Sequence, residues 1–121
     1  MRLIYKILSR SEWDEAVSTG RYHGSPDDKH DGFIHFSTAE QVAGTLAKHF
    51  AGKTDLLLVA VDADSLGPSL KFEPSRGGAL FPHLYGSLET AAALSVEDLP
   101  LGGDGQHLVP ETIRSVSKGG A

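Results

Sequence analysis

Residues 56–61 read Leu-Leu-Leu-Val-Ala-Val, an apolar run without polar alternation, between Asp55 and Asp62. A run this short, bounded by polar residues and ending in a β-branched pair around alanine, is a strand buried on both faces. Residues 3–8 give a second strand. Leu3, Tyr5 and Ile7 point one way and Ile4, Lys6 and Leu8 the other, so both of its faces are largely apolar too. That places it centrally in a sheet. Lys6 is the anomaly in it, and the plain expectation is a side chain that snorkels to water along its stem.

Two helices are expected against these strands. Ser9-Arg10-Ser11 caps the first, Trp13, Ala16 and Val17 form its apolar stripe, and Gly20 stops it. The second runs over residues 38–50, with Val42, Leu46 and Phe50 as its ridge. Ser37-x-x-Glu40 and Thr38-x-x-Gln41 both fit a capping box at its start. Residues 21–30 are polar and read as a surface loop, a candidate lid. Residues 70–73 alternate as a short half-buried strand, and 91–96 are read as a strand. Residues 80–86 form an edge or irregular strand, because Pro82 cannot donate to a ladder. A hairpin is expected from residues 95–101 and 106–109, around the turn at 102–105. The order of elements gives an α+β fold, with helices packed on a sheet. At 121 residues, with hydrophobic residues at 40%, the chain makes one domain with one modest core. That domain is expected over residues 1–110, with 111–121 as a flexible tail.

The residues with chemistry cluster in three stretches. In Asp31-Gly32-Phe33-Ile34-His35-Phe36-Ser37-Thr38, a turn leads into a short strand that carries His35 and ends at a helix start. His35 there is near free backbone N–H groups, a setting that suits an anion. The alternative is a histidine of the core with both ring nitrogens satisfied. In Phe81-Pro82-His83-Leu84-Tyr85-Gly86, His83 and Tyr85 share one strand face. Ser75-Arg76-Gly77-Gly78 is a turn with one cation.

The net charge of −5, from 11 basic and 16 acidic residues, argues against general nucleic-acid binding. No stretch approaches the length of a membrane helix, and the N-terminus lacks the apolar core of a signal peptide. With no cysteine, the chain has neither disulfides nor thiolate metal sites. A soluble cytoplasmic protein is the expectation. A zinc set of His35, His83 and Glu73 has long, undiagnostic spacing, and no metal is expected.

These motifs resemble a known family. Tyr5-Lys6-Ile7, Trp13-x-x-Ala16-x-x-x-Gly20, Gly32-Phe33-Ile34-His35-x-Ser37-Thr38, Gln41, Glu73 and Phe81-Pro82-His83-Leu84-Tyr85-Gly86 are similar to the signature of domain of unknown function 952. The resemblance covers roughly residues 3–110. It implies an uncharacterised bacterial protein, remotely similar to the ADP-ribosyltransferase fold, a small domain with two main helices on a split antiparallel sheet. That fold binds NAD in a cleft between two small sheets. In motif style the chain looks like the RNA 2′-phosphotransferases. Lys6 stands where many family members carry His. His83 stands where a catalytic glutamate often sits in the superfamily, and the 2′-phosphotransferase branch does without that glutamate.

The resemblance therefore implies a nucleotide- or NAD-related transferase with a cleft built around His35 and His83 as catalytic residues. Lys6, Ser37, Glu73, Arg76 and Tyr85 would bind the ligand, with NAD as a substrate. The alternative is a non-catalytic module that binds a nucleotide, ADP-ribose or another small anionic metabolite. The sequence does not set the oligomeric state.

Overall fold

The computed structural model describes residues 1–111 and 113, and of Arg76 the backbone alone. The apolar run is β4 (Leu56–Asp62), the middle strand of an antiparallel three-stranded sheet. β1 (Leu3–Ser9) pairs with one edge of it, from Leu3↔Asp62 to Ser9↔Leu56. β8 (Ser95–Asp98) pairs with the other, from Leu57↔Asp98 to Ala60↔Ser95. Because side chains alternate along a strand, the run supplies two cores at once. Leu57, Val59 and Val61 join Ile4, Leu8, Trp13, Ile34 and Leu84 on one face. Leu56, Leu58 and Ala60 join Tyr5, Ile7, Val42 and Leu46 on the other.

Each face is covered by the helix whose stripe fits it. α1 (Arg10–Thr19) buries Trp13 and Ala16; Ser9 Oγ caps it by accepting from Glu12 N–H, and Gly20 at φ 88° ends it. Val17, expected in the stripe, is exposed, so the buried face is narrower than the sequence suggested. α3 (Val42–His49) buries Val42 and Leu46, after a 3₁₀ turn at Ala39–Gln41 rather than one continuous helix. At its start the Gln41 side chain accepts from Thr38 N–H. The proposed Ser37–Glu40 box is not used: the Ser37 hydroxyl bonds Thr45 Oγ1 at 3.0 Å.

A second antiparallel sheet has the order β3-β6-β5, from β3 (Ile34–His35), β5 (Leu70–Pro74) and β6 (Leu80–Leu84). Strand alternation sorts its faces. Ile34 and Leu84 are paired and turn into the core, while His35 and His83 are paired on the opposite face. β6 is the middle strand, not the edge that Pro82 suggested. Pro82 is tolerated because its carbonyl, and so also its nitrogen, faces the side where the two-residue β3 ends. That carbonyl accepts from Phe36 N–H at 2.9 Å. One residue on, Ser37 exchanges both backbone bonds with Tyr5 at 2.8 Å. The chain thus passes from one sheet to the other within three residues.

The expected loop at residues 21–30 holds two elements. β2 (Arg21–Tyr22) pairs with β7 (Leu88–Glu89), and α2 (Pro26–Asp31) follows. Ser25 and Asp28 form a reciprocal capping box around Pro26, which the polar composition concealed. Residues 91–96 divide between a 3₁₀ turn at Thr90–Ala92 and the start of β8. The hairpin is reduced to a single bridge, Leu101↔His107. Of the tail, residues 112 and 114–121 lie outside the described residues. No helix among the described residues is long and apolar enough to cross a membrane.

Candidate functional site

The two sheets and α2 enclose a cavity of about 330 Å³. Lys6, Asp28, His35, Ser37, Thr45 and His83 give its polar wall, and Tyr5, Phe36 and Phe81 are among its apolar lining. Lys6 comes from β1, Asp28 from α2, His35 from β3, Thr45 from α3 and His83 from β6, with Ser37 just beyond β3.

Lys6 does not snorkel. It points from β1 into the protein, with 5% of its surface exposed, and its Nζ donates to Asp28 Oδ2 at 2.8 Å and to the His35 carbonyl at 3.0 Å. Asp28 is the hub. Its Oδ2 also accepts from Ser25 N–H at 2.9 Å. Its Oδ1 accepts from His35 Nδ1 at 2.5 Å and from His35 N–H at 3.2 Å. Burial by itself would raise this carboxyl group. The hydrogen bond from His35 and the charge of Lys6 outweigh it and hold Asp28 well below the usual carboxylate range. Burial pulls Lys6 down from the lysine range, and the Asp28 carboxylate opposes that pull.

The other ring nitrogen of His35, Nε2, lies 3.0 Å from Asp31 Oδ2. Asp31 is itself held low by the hydrogen bond from His30 and by the charge of His35, against partial desolvation. An ionised carboxylate only accepts, so His35 Nδ1 donates to Asp28.

His83 is held differently. Lys71, Glu73, Phe81 and His83 lie on one face of the β5–β6 ladder, with Lys71 opposite His83 and Glu73 opposite Phe81. Glu73 Oε1 reaches across to His83 Nδ1 at 2.8 Å and also accepts from the Tyr85 hydroxyl at 2.7 Å. The hydrogen bonds from Tyr85 and His83 keep Glu73 below the usual range, and Tyr85 is raised in turn. Phe33 stacks on the His83 ring, with centroids 4.0 Å apart and planes at 22°. His83 Nε2 has no hydrogen-bond partner among the described residues, while the ring lines the cavity. A histidine with Nδ1–H fixed on a carboxylate presents a lone pair at Nε2.

Of the residues singled out from sequence, Lys6, His35, Ser37 and His83 meet at the cavity. Glu73 and Tyr85 stand behind His83. The Arg76 side chain lies outside the described residues, although its neighbour Ser75 lines the cavity. Sequence reasoning missed Asp28, Asp31 and Thr45. The Ser25-Pro26-x-Asp28 spacing was a readable signal for the first; nothing local marks the other two. Among the described residues no group of three or more His, Cys, Asp or Glu side chains is arranged to hold a metal ion.

Fold and cavity together define a small α+β domain with a histidine-lined pocket between two antiparallel sheets. The chain matches the family model described as "Protein of unknown function (DUF952)" over residues 7–96, and it belongs to that family. It is also similar to protein CC0527 from Caulobacter crescentus. Against the crystal structure of that protein the identity is 50% and the TM-score 0.89, covering 93% of this chain and 98% of the other. Against the solution NMR structure the identity is 54% and the TM-score 0.79, covering 88% and 91%. No curated protein matches the chain.

Proposed function

We propose that this protein is a nucleotide- or NAD-related transferase in which His83 Nε2 acts as general acid or base on a ligand held in the cavity. The observation that carries this is the Glu73–His83 pair: a carboxylate fixes Nδ1–H and so leaves the lone pair on Nε2 of a ring that lines the cavity. Phe33 fixes the ring plane from one side. A volume of about 330 Å³ sits at the small end of ligand cavities, roughly 300–1,000 Å³. It suits the ring-and-sugar part of a nucleotide. The resemblance to the ADP-ribosyltransferase fold makes NAD the first substrate to try, as an expectation by analogy.

The test is a histidine-resolved NMR titration with NAD, ADP-ribose and mononucleotides, followed by product analysis. The reading expects His83 resonances to shift saturably with at least one of them, and turnover that His83→Gln abolishes while the ligand still binds. No shift at His83 with any of these ligands would overturn it.

The internal pairing of Lys6, Asp28 and His35 favours a second reading, a non-catalytic binding module for a nucleotide, ADP-ribose or another anionic metabolite. Saturable binding without turnover would select it.

A further inference from the structure

Of the elements that line the cavity, α2 has the weakest apolar anchorage. Its sequence, Pro-Asp-Asp-Lys-His-Asp, has no large apolar side chain, and every residue in it except Asp28 is exposed. Burial of apolar surface therefore contributes little to holding it down. The Asp28 carboxylate holds it, and Asp31 Oδ2 lies 3.0 Å from His35 Nε2. Gly24 at φ 108° and Gly32 at φ 89° bracket it. Gly24 is also a close approach: a Cβ there would stand 2.8 Å from the Asp28 Cβ.

Seen from the strands, the same contacts describe a receptor. The Lys6 ammonium, the His35 Nδ1–H and the His35 backbone N–H converge on one carboxylate at 2.8, 2.5 and 3.2 Å. These are the charge-assisted and backbone donors that an oxyanion of a ligand requires. All three belong to β1 and β3, so they stay in place if α2 moves.

We infer that the Asp28 carboxylate is a built-in occupant of an oxyanion site formed by Lys6 and His35, and that α2 is a strap which leaves when the carboxylate or phosphate group of a ligand takes that place. The site opens on the cavity that His83 lines, so the inference deepens the proposed function and rests on it only for the identity of the whole ligand. It also explains how a pocket with paired cations accepts an anionic metabolite: the ligand replaces an internal carboxylate rather than adding charge to a filled site. An element held by polar contacts alone belongs to the low-stability end of local opening. Apparent affinity for a free anion is reduced by the fraction of molecules in which the strap is open.

The test uses acetate and inorganic phosphate as probes at constant ionic strength, with His35 ring resonances and the melting temperature as readouts. Asp28→Ala empties the site and should bind one of the probes saturably, about tenfold or more tighter than the unmodified protein, with a rise in melting temperature. Adding Lys6→Met should abolish that response. Gly24→Ala crowds Asp28 while leaving every donor intact, and should also bind tighter than the unmodified protein; it carries the test should Asp28→Ala not fold. A preference for acetate marks a carboxylate ligand, and a preference for phosphate a phosphorylated one. His83→Gln should retain the anion response, so failure of the acid–base reading is separable from failure of this one. No gain in affinity at His35 for either anion, in whichever of the two variants folds, would overturn the inference.

Discussion

His35 and His83 face each other across β3 and β6, their ring centroids 5.6 Å apart, and each meets a carboxylate at Nδ1. What surrounds each pair differs. The Asp28 side chain is 2% exposed and takes four donors among the described residues, and His35 Nε2 lies 3.0 Å from Asp31 Oδ2. The Glu73 side chain is 36% exposed, takes two donors, and leaves His83 Nε2 open. A buried carboxylate must be well supplied with donors to be tolerated, so its pair is closed while α2 is in place. A half-exposed one has water for its remaining lone pairs, and its histidine keeps Nε2 without a hydrogen-bond partner among the described residues.

Breaking the two pairs should separate those roles. Asp28→Ala has the largest expected effect on stability. It leaves the Lys6 ammonium buried without its counter-charge, and the expected loss is about 3–5 kcal/mol, read from denaturant unfolding with an unchanged slope. Lys6→Met should cost less, roughly 1–3 kcal/mol, because Asp28 keeps the donors from Ser25 and His35. Glu73→Gln should leave the unfolding midpoint close to that of the unmodified protein and act on His83 chemistry instead. Tyr85→Phe, which removes one of two donors to Glu73, should have the smallest effect on either readout. If Glu73→Gln destabilised the fold as much as Asp28→Ala, the contrast between the pairs would fail.

Acid sharpens the same comparison. Asp28 has a folded-state pKa below its unfolded value, which is near 3.9, so the unfolded chain binds its proton first as pH falls. Its contribution to stability is therefore complete above about pH 4 and is lost as pH drops through the acid range towards the folded value. Asp28→Asn should flatten that part of the stability–pH curve, as measured by urea unfolding at a series of pH values. The remaining slope would come from other carboxylates, Asp31 and Glu73 among them.

The sequence made the frame legible because periodicity reports burial. The unbroken run of β4 announced a strand buried on both faces, although one core was expected where the two faces hold two, and Trp13, Val42 and Leu46 marked the helices that cover them. His35 and His83 were legible as polar interruptions of short apolar strands, and the structure pairs them. Lys6 was visible as an anomaly but misjudged, because its partner sits 22 residues away on an element hidden in a polar stretch. α2 has no apolar stripe to detect; it is fixed by one buried carboxylate, a tertiary contact that local pattern does not encode. Pro82 misled for the opposite reason: its local rule holds, but β3 is too short to need the missing N–H.

The most direct measurement of the difference between the two histidines is a long-range ¹H–¹⁵N NMR spectrum of the imidazole rings at neutral pH, assigned with His35→Gln and His83→Gln. The account predicts that His35 carries a proton on Nδ1, facing Asp28, and that the neutral form of His83 carries its proton on Nδ1, facing Glu73, with a bare Nε2. A His35 without a proton on Nδ1, or a neutral His83 protonated at Nε2, would contradict the anchoring of each ring on its carboxylate.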